Sequence, residues 1–195
     1  MRRAQTFHWN GQMHEKWVKS SEDAIYISAK AMQIAWGKDE RFWKWINLSK
    51  NELPRDFARH ELSFDSAAEL VQVKCLQVTG ILDLATHGRR LHACKTYEII
   101  YHVKFKVDAF GWSKTPVTFL HGTRKTKKRG YEMVALSRRS RSGVGEWQEI
   151  RGGEFKPSAF MAAARKVEFG MLDVESEWWK GGMVFAGVTI RPSRN

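Results

Sequence analysis

The chain has 195 residues, of which 43% are hydrophobic and 28% charged, enough apolar material for a packed core and too much for general disorder. Its longest apolar run, 183–190, is far shorter than the ~20 residues of a membrane-spanning helix, so no membrane span is expected. The net charge of +12 is concentrated: residues 120–141 carry eight Lys or Arg against the single acid Glu132, which argues for a local basic patch on a mildly basic body.

In chain order, residues 1–22 mix Trp, His and Lys without periodicity and are read as an N-terminal extension with no secretory leader, and one domain is expected over 23–195. Residues 25–34, rich in small and β-branched side chains, predict one or two short strands. A polar turn flanked by rings follows, Trp36-Gly37-Lys38-Asp39-Glu40-Arg41-Phe42-Trp43-Lys44-Trp45. Residues 54–70 predict a helical turn or two after Pro54. Strands are predicted over 70–81, 96–107, 117–121, 131–136, 147–150, 166–174 and 183–190, with turn chemistry at 85–90, 110–113, 122–130 and 140–145. The strand at 96–107 has the clearest period of two. Tyr97, Ile99, Tyr101, Val103, Phe105 and Val107 alternate with Glu98, Ile100, His102, Lys104 and Lys106, which predicts one packed and one largely wet face. An Ala-rich run after Pro157 predicts a short helix over 157–166. Many short strands with regular turns predict an all-β antiparallel sandwich with short helical connections.

Enzyme motifs are missing. The sequence has no His-Glu-x-x-His, no Gly-x-Ser-x-Gly, no Walker loop and no Gly-x-Gly-x-x-Gly helix entry, so a non-enzymatic role is expected. The seven His residues show no zinc-ligand spacing to Cys75 or Cys94, so no metal and no cofactor are expected. Two cysteines make no disulfide framework and fit a reducing compartment, and Cys75, in an apolar stretch, reads as a small core residue. The triplet Asn47-Leu48-Ser49 matches a glycosylation acceptor by chance. Glu149 and Glu154 raise the pattern of paired glycosidase carboxylates, but their neighbours give both a structural reading.

Two features carry more. The basic run Arg124, Lys125, Lys127, Lys128 and Arg129 is placed in a turn between strands. A solvated loop is the commonest fate of such a run; the sharper readings are a nuclear address and a phosphate-contacting patch for RNA or a protein partner. The second feature is aromatic. The chain has nine Trp, and Trp36, Phe42, Trp43 and Trp45 fall within ten positions. Exposed indoles stack on the apolar face of a sugar ring while Asp39 and Glu40 hydrogen-bond its substituents. The alternative is that Trp43 and Trp45 plug one end of the sandwich, and both readings stay open.

Several ordered motifs are together specific. They are Ile27-Ser28-Ala29-Lys30-Ala31-Met32-Gln33-Ile34-Ala35-Trp36 with the later Phe42-Trp43-Lys44-Trp45; Ala68-Glu69-Leu70 with Val73, Cys75-Leu76, Val78 and Gly80; the strand at 97–105; Trp147-Gln148-Glu149-Ile150 with Gly153-Glu154-Phe155; Val167-Glu168-Phe169; and Trp179-Lys180-Gly181-Gly182-Met183 running on to Arg191-Pro192. In this order the chain resembles the plant phloem protein 2 family, whose relatives include the tobacco-agglutinin (Nictaba-like) lectins. The resemblance runs from about residue 24 to residue 192. It implies a jelly-roll-type β-sandwich in a nucleocytoplasmic lectin. The implied ligands are N-acetylglucosamine oligomers and the N-glycan core, and the implied assembly is a homodimer. It implies sugar contact by Trp36 and Trp43 and an acidic anchor at Asp173, and it sets the run Arg124–Arg129 where members carry a nuclear address. The chain departs from the family at Cys75, where Trp is usual, at Lys166, where an acid is expected, and in a longer segment over 47–67.

Overall fold

A computed structural model describes residues 15–59, 64–88, 91–113, 117–122, 127–131, 144–158, 165–174 and 177–194. Its strands are β1 Val18–Ser20, β2 Ile25–Ser28, β3 Gln33–Ile34, β4 Trp43–Asn47, β5 Ser66–Leu70, β6 Leu76–Asp83, β7 Tyr97–Phe110, β8 Thr118–Gly122, β9 Lys127–Tyr131, β10 Trp147–Phe155, β11 Lys166–Asp173 and β12 Gly181–Pro192, with one short α-helix, α1 Arg55–Arg59, and 3-10 turns at Glu15–Trp17, Ala29–Ala31 and Lys50–Glu52 among the described residues. They form two antiparallel sheets, so the expected sandwich is observed. None of the described helices is long and apolar enough to cross a membrane.

The seven-stranded sheet is organised by β12, the most apolar stretch of the chain. Its first ten residues are all buried, as expected of a strand covered on both faces. Along one side it pairs with β7, which carries β10 beyond it. Along the other side it pairs first with β5 (Met183 to Phe185) and then with β2 (Gly187 to Ile190). Strand β4 flanks β5 and β1 flanks β2. The change of partner falls at a bulge between Phe185 and Gly187. Gly187 has φ of 143°, and a Cβ there would lie 2.0 Å from the Ile27 carbonyl oxygen, so only glycine fits. The five-stranded sheet has the order β3-β6-β11-β8-β9. Between the sheets lies the main core, with Trp43, Tyr101, Phe105, Phe119, Phe169 and Phe185 among its largest members.

The structure corrects the sequence reading at four places. The stretch 70–81 is two strands in different sheets, β5 and β6, joined by a crossing segment that contains Cys75; the cysteine is half-buried in that connection and lies outside any strand. The second face of β7 is dry: Glu98, Ile100 and His102 are buried, and residues 48–59 and 64–65 lie over this face. There Phe57 of α1 packs against Phe64, Tyr26 and His102, with ring centroids 5.5, 6.4 and 4.9 Å away, and builds a second small core outside the sheet. The described part of the long 47–67 segment that lies between β4 and β5 is therefore a cover. The basic run is no simple turn, since Lys127, Lys128 and Arg129 lie in β9, the terminal strand of its sheet; Arg124 and Lys125 fall outside the described residues. Finally, Val18–Ser20 pairs with β2 and Val18 is buried, so the folded unit begins before residue 23. Most of the expected helix at 157–166, and 132–136 of the strand expected at 131–136, lie outside the described residues.

Candidate functional site

The ends of several strands meet at one end of the sandwich. Strand β3 finishes there, with the Ala35 amide donating to the Gln77 carbonyl at the start of β6. Asp173 ends β11 opposite Leu76, and Trp43 at the start of β4 pairs with Leu70 at the end of β5. Phe110 ends β7 opposite Gly181 at the start of β12. The loops at this end hold Trp36, Asp39, Glu40, Trp178 and Trp179.

Residues 35–42 form a tightly bonded turn. Gly37 N–H donates to Ile34 C=O at 3.0 Å and Asp39 N–H to Trp36 C=O at 2.9 Å, while Phe42 and Trp43 N–H both donate to Asp39 C=O. Two indoles staple it. Trp43 Nε1–H donates to the Ala35 carbonyl at 3.1 Å and Trp45 Nε1–H to the Gly37 carbonyl at 3.0 Å. The turn forces Trp36 to φ of 63°, the left-handed region that costs a side-chain-bearing residue about 1–2 kcal/mol. The residue nevertheless stands 62% exposed, with its ring resting on Phe42 at a centroid distance of 5.6 Å. Arg41 lies over the same Phe42 ring.

The expected site residues separate. Trp36 is presented to solvent. Trp43 is not: it is 1% exposed, deep in the main core, with its one donor satisfied, so it offers no stacking face. Trp45, two residues on, is 42% exposed and takes its place at the surface. Asp39 is engaged by Arg41 through the backbone amide, Nε and Nη2, and those hydrogen bonds hold its carboxyl below the usual carboxylate range. Glu40 is exposed on the same turn. Asp173 is buried and bound by Lys180, Nζ to Oδ2 at 2.5 Å, with the lysine side chain wholly out of solvent. It therefore pins β11 to the approach to β12, and it is no free anchor at the surface. Burial raises the nearby Cys75 thiol above its ordinary pKa, with Asp173 pushing the same way, so the cysteine is not activated.

Trp178 and Trp179, which are not among the expected sugar-contact residues, are 57% and 48% exposed. An adjacent Trp pair just ahead of Gly181-Gly182, where a strand begins, was the available signal.

The carboxylates Glu149 and Glu154 lie on β10, toward the opposite end of the sheet. Arg191 binds Glu149 at 2.5 Å and Arg151 binds Glu154. Burial raises the Glu149 pKa, but the hydrogen bond and charge of Arg191 outweigh it and leave the carboxyl below its ordinary value, the opposite of what a general acid needs. No group of three metal-ligating side chains occurs among the described residues.

Comparison with known proteins agrees with the motifs. The family model for Phloem protein 2 matches residues 22–192. Protein PHLOEM PROTEIN 2-LIKE A1 of Arabidopsis thaliana is 28% identical over 183 residues, covering 91% of this chain and 65% of that protein. Immune-associated nucleotide-binding protein 10 of the same plant is 29% identical over 167 residues, covering 85% of this chain and 33% of that protein. The chain thus spans between a third and two thirds of these relatives. Among solved structures, the CBM22-1 xylan-binding domain of Paenibacillus barcinonensis Xyn10C superimposes with a TM-score of 0.40 at 12% identity, over 86% of this chain and 89% of that one. The mannan-recognising carbohydrate-binding module TmCBM27 gives 0.32 at 8%, over 84% and 99%. With a family model spanning nearly its whole length, the chain belongs to the phloem protein 2 family.

Proposed function

We propose that this chain is a non-enzymatic carbohydrate-binding domain that takes N-acetylglucosamine oligomers, free or in the N-glycan core, on the aromatic end of its sandwich. The observation that carries the reading is Trp36. Folding gains little from a large apolar ring left 62% in water on a left-handed backbone, and glycine would serve the turn better. A rigid exposed indole serves a ligand, because its face is already in place and little side-chain freedom is lost on stacking. Trp45 and the turn's polar groups, Glu40 and the Asp39–Arg41 pair, stand beside it to receive hydroxyl and acetamido groups.

The test is calorimetry with N,N′,N″-triacetylchitotriose on wild type and Trp36→Ala. Heat from the wild type alone, with both proteins folded, is the expected result. Equal binding by both removes Trp36 from the site, and silence from the wild type removes the sugar.

A partner at the basic run is the second reading. Three residues of that run, Lys127, Lys128 and Arg129, lie in β9, the terminal strand of its sheet.

A further inference from the structure

The exposed pair Trp178–Trp179 stands directly ahead of a residue that is held on several sides. Lys180, next in sequence, exchanges two backbone hydrogen bonds with Val73, each 2.9 Å. Its side chain is buried against Asp173 at 2.5 Å, which anchors the segment a second time. On the other side Gly111, at φ of 82°, lets the end of β7 close on it: a Cβ at Gly111 would stand 2.0 Å from the Trp179 carbonyl oxygen and 2.7 Å from Lys180 Cα. These contacts fix Lys180 and the Trp179 carbonyl, and the two indoles just ahead of Lys180 remain about half in water.

The segment 71–73 ties this pair to the first platform. The Val71 amide donates to the Phe42 carbonyl at 2.9 Å, and Val73 pairs with Lys180. Phe42 is the ring on which Trp36 rests. Strands β4 and β12 flank β5 on opposite sides, each one strand spacing of about 5 Å away, and Phe42 and Lys180 continue them along this segment. The backbones carrying the two groups are thus about two strand spacings, roughly 10 Å, apart, on one end of one sandwich.

We infer that Trp178 and Trp179 form a second stacking platform, so that the site takes a linear oligosaccharide across two platforms, with Trp36 holding one part of the chain and the Trp178–Trp179 segment another. This inference rests on the sugar-binding reading above and adds what that reading lacks, a residue basis for selecting chain length. Two weak stacking contacts on one ligand reinforce each other only when the ligand is long enough to reach both.

The experiment is calorimetry along a series from N-acetylglucosamine through chitobiose and chitotriose to chitopentaose, with wild type, Trp178→Ala, Trp179→Ala and Trp36→Ala. Affinity of the wild type should climb with length. At least one of the Trp178 and Trp179 variants should lose about tenfold on the longest ligand, the scale of one aromatic contact, and little on the disaccharide. Replacing the same residue by Phe should restore most of the loss, which a merely structural defect would not allow. If both alanine variants follow the wild type at every length while Trp36→Ala has lost binding, the second platform is wrong and the first stands. If the wild type binds no member of the series, both fall together.

Discussion

Replacing Trp36 by glycine separates folding from binding at one residue. About a third of the indole is covered, on the order of 80 Å², so its removal costs roughly 2 kcal/mol at about 25 cal/mol per Å². Against this, glycine adopts the left-handed conformation of residue 36 without the penalty of about 1–2 kcal/mol that a side chain incurs. The two effects nearly cancel, so Trp36→Gly should lie within about 1 kcal/mol of wild type. Trp36→Ala keeps the strain and loses the ring, so it should be less stable than Trp36→Gly by about 1 kcal/mol. Urea titration followed by circular dichroism measures both, and calorimetry with chitotriose on the same samples should find neither variant binding. The reasoning fails if Trp36→Gly is destabilised by more than about 3 kcal/mol or proves less stable than Trp36→Ala, because the exposed ring would then be a structural element.

The neighbouring indole should behave oppositely. Trp43→Ala should cost about 3–5 kcal/mol in the same titration, since it empties a core site and frees the Ala35 carbonyl. Burial pushes His102 down to about 4, with the Asp56 and Glu149 carboxylates only partly offsetting it. A histidine depressed in the folded state takes up its proton first when unfolded, so stability should hold above about pH 6.5 and fall as pH drops toward 4, by on the order of 3 kcal/mol. His102→Gln, which keeps a partner for Thr189, should flatten that slope in melting curves recorded across the range. Lys180→Met should cost about 3–5 kcal/mol by stranding the Asp173 charge, while the double variant Lys180→Met/Asp173→Leu should recover most of it in chemical denaturation.

The fold was legible wherever one strand showed its period plainly. The alternation over 97–107 and the apolar run over 183–190 gave β7 and the heart of β12, because those patterns depend only on the strand itself. The wet face expected for β7 failed for a reason no local pattern holds: the residues that cover it come from α1 and Phe64, forty residues away in sequence. The break between β5 and β6 was hidden because Val71, Val73 and Leu76 continue the apolar character of the strands on either side. The exposure of Trp36 was readable from its place beside a polar turn. Trp43 and Trp45 share a face of β4, yet one is sealed and the other half open, and that depends on how far the opposite sheet reaches over them. Asp173 was singled out by the family resemblance alone, and no local pattern showed its ion pair with Lys180, seven residues on and across the strand connection.

The most direct test follows indole signals during a sugar titration. The chain has nine tryptophans, and each gives one indole N–H peak in a proton–nitrogen correlation spectrum. On adding chitotriose, the Trp36 peak should move first and furthest, with Trp45 and the Trp178–Trp179 pair following. Trp43 and Trp112, sealed in the core and bonded to backbone carbonyls, should stay in place. Shifts confined to Trp17 or Trp147, or a spectrum that chitotriose leaves unchanged, would contradict the account.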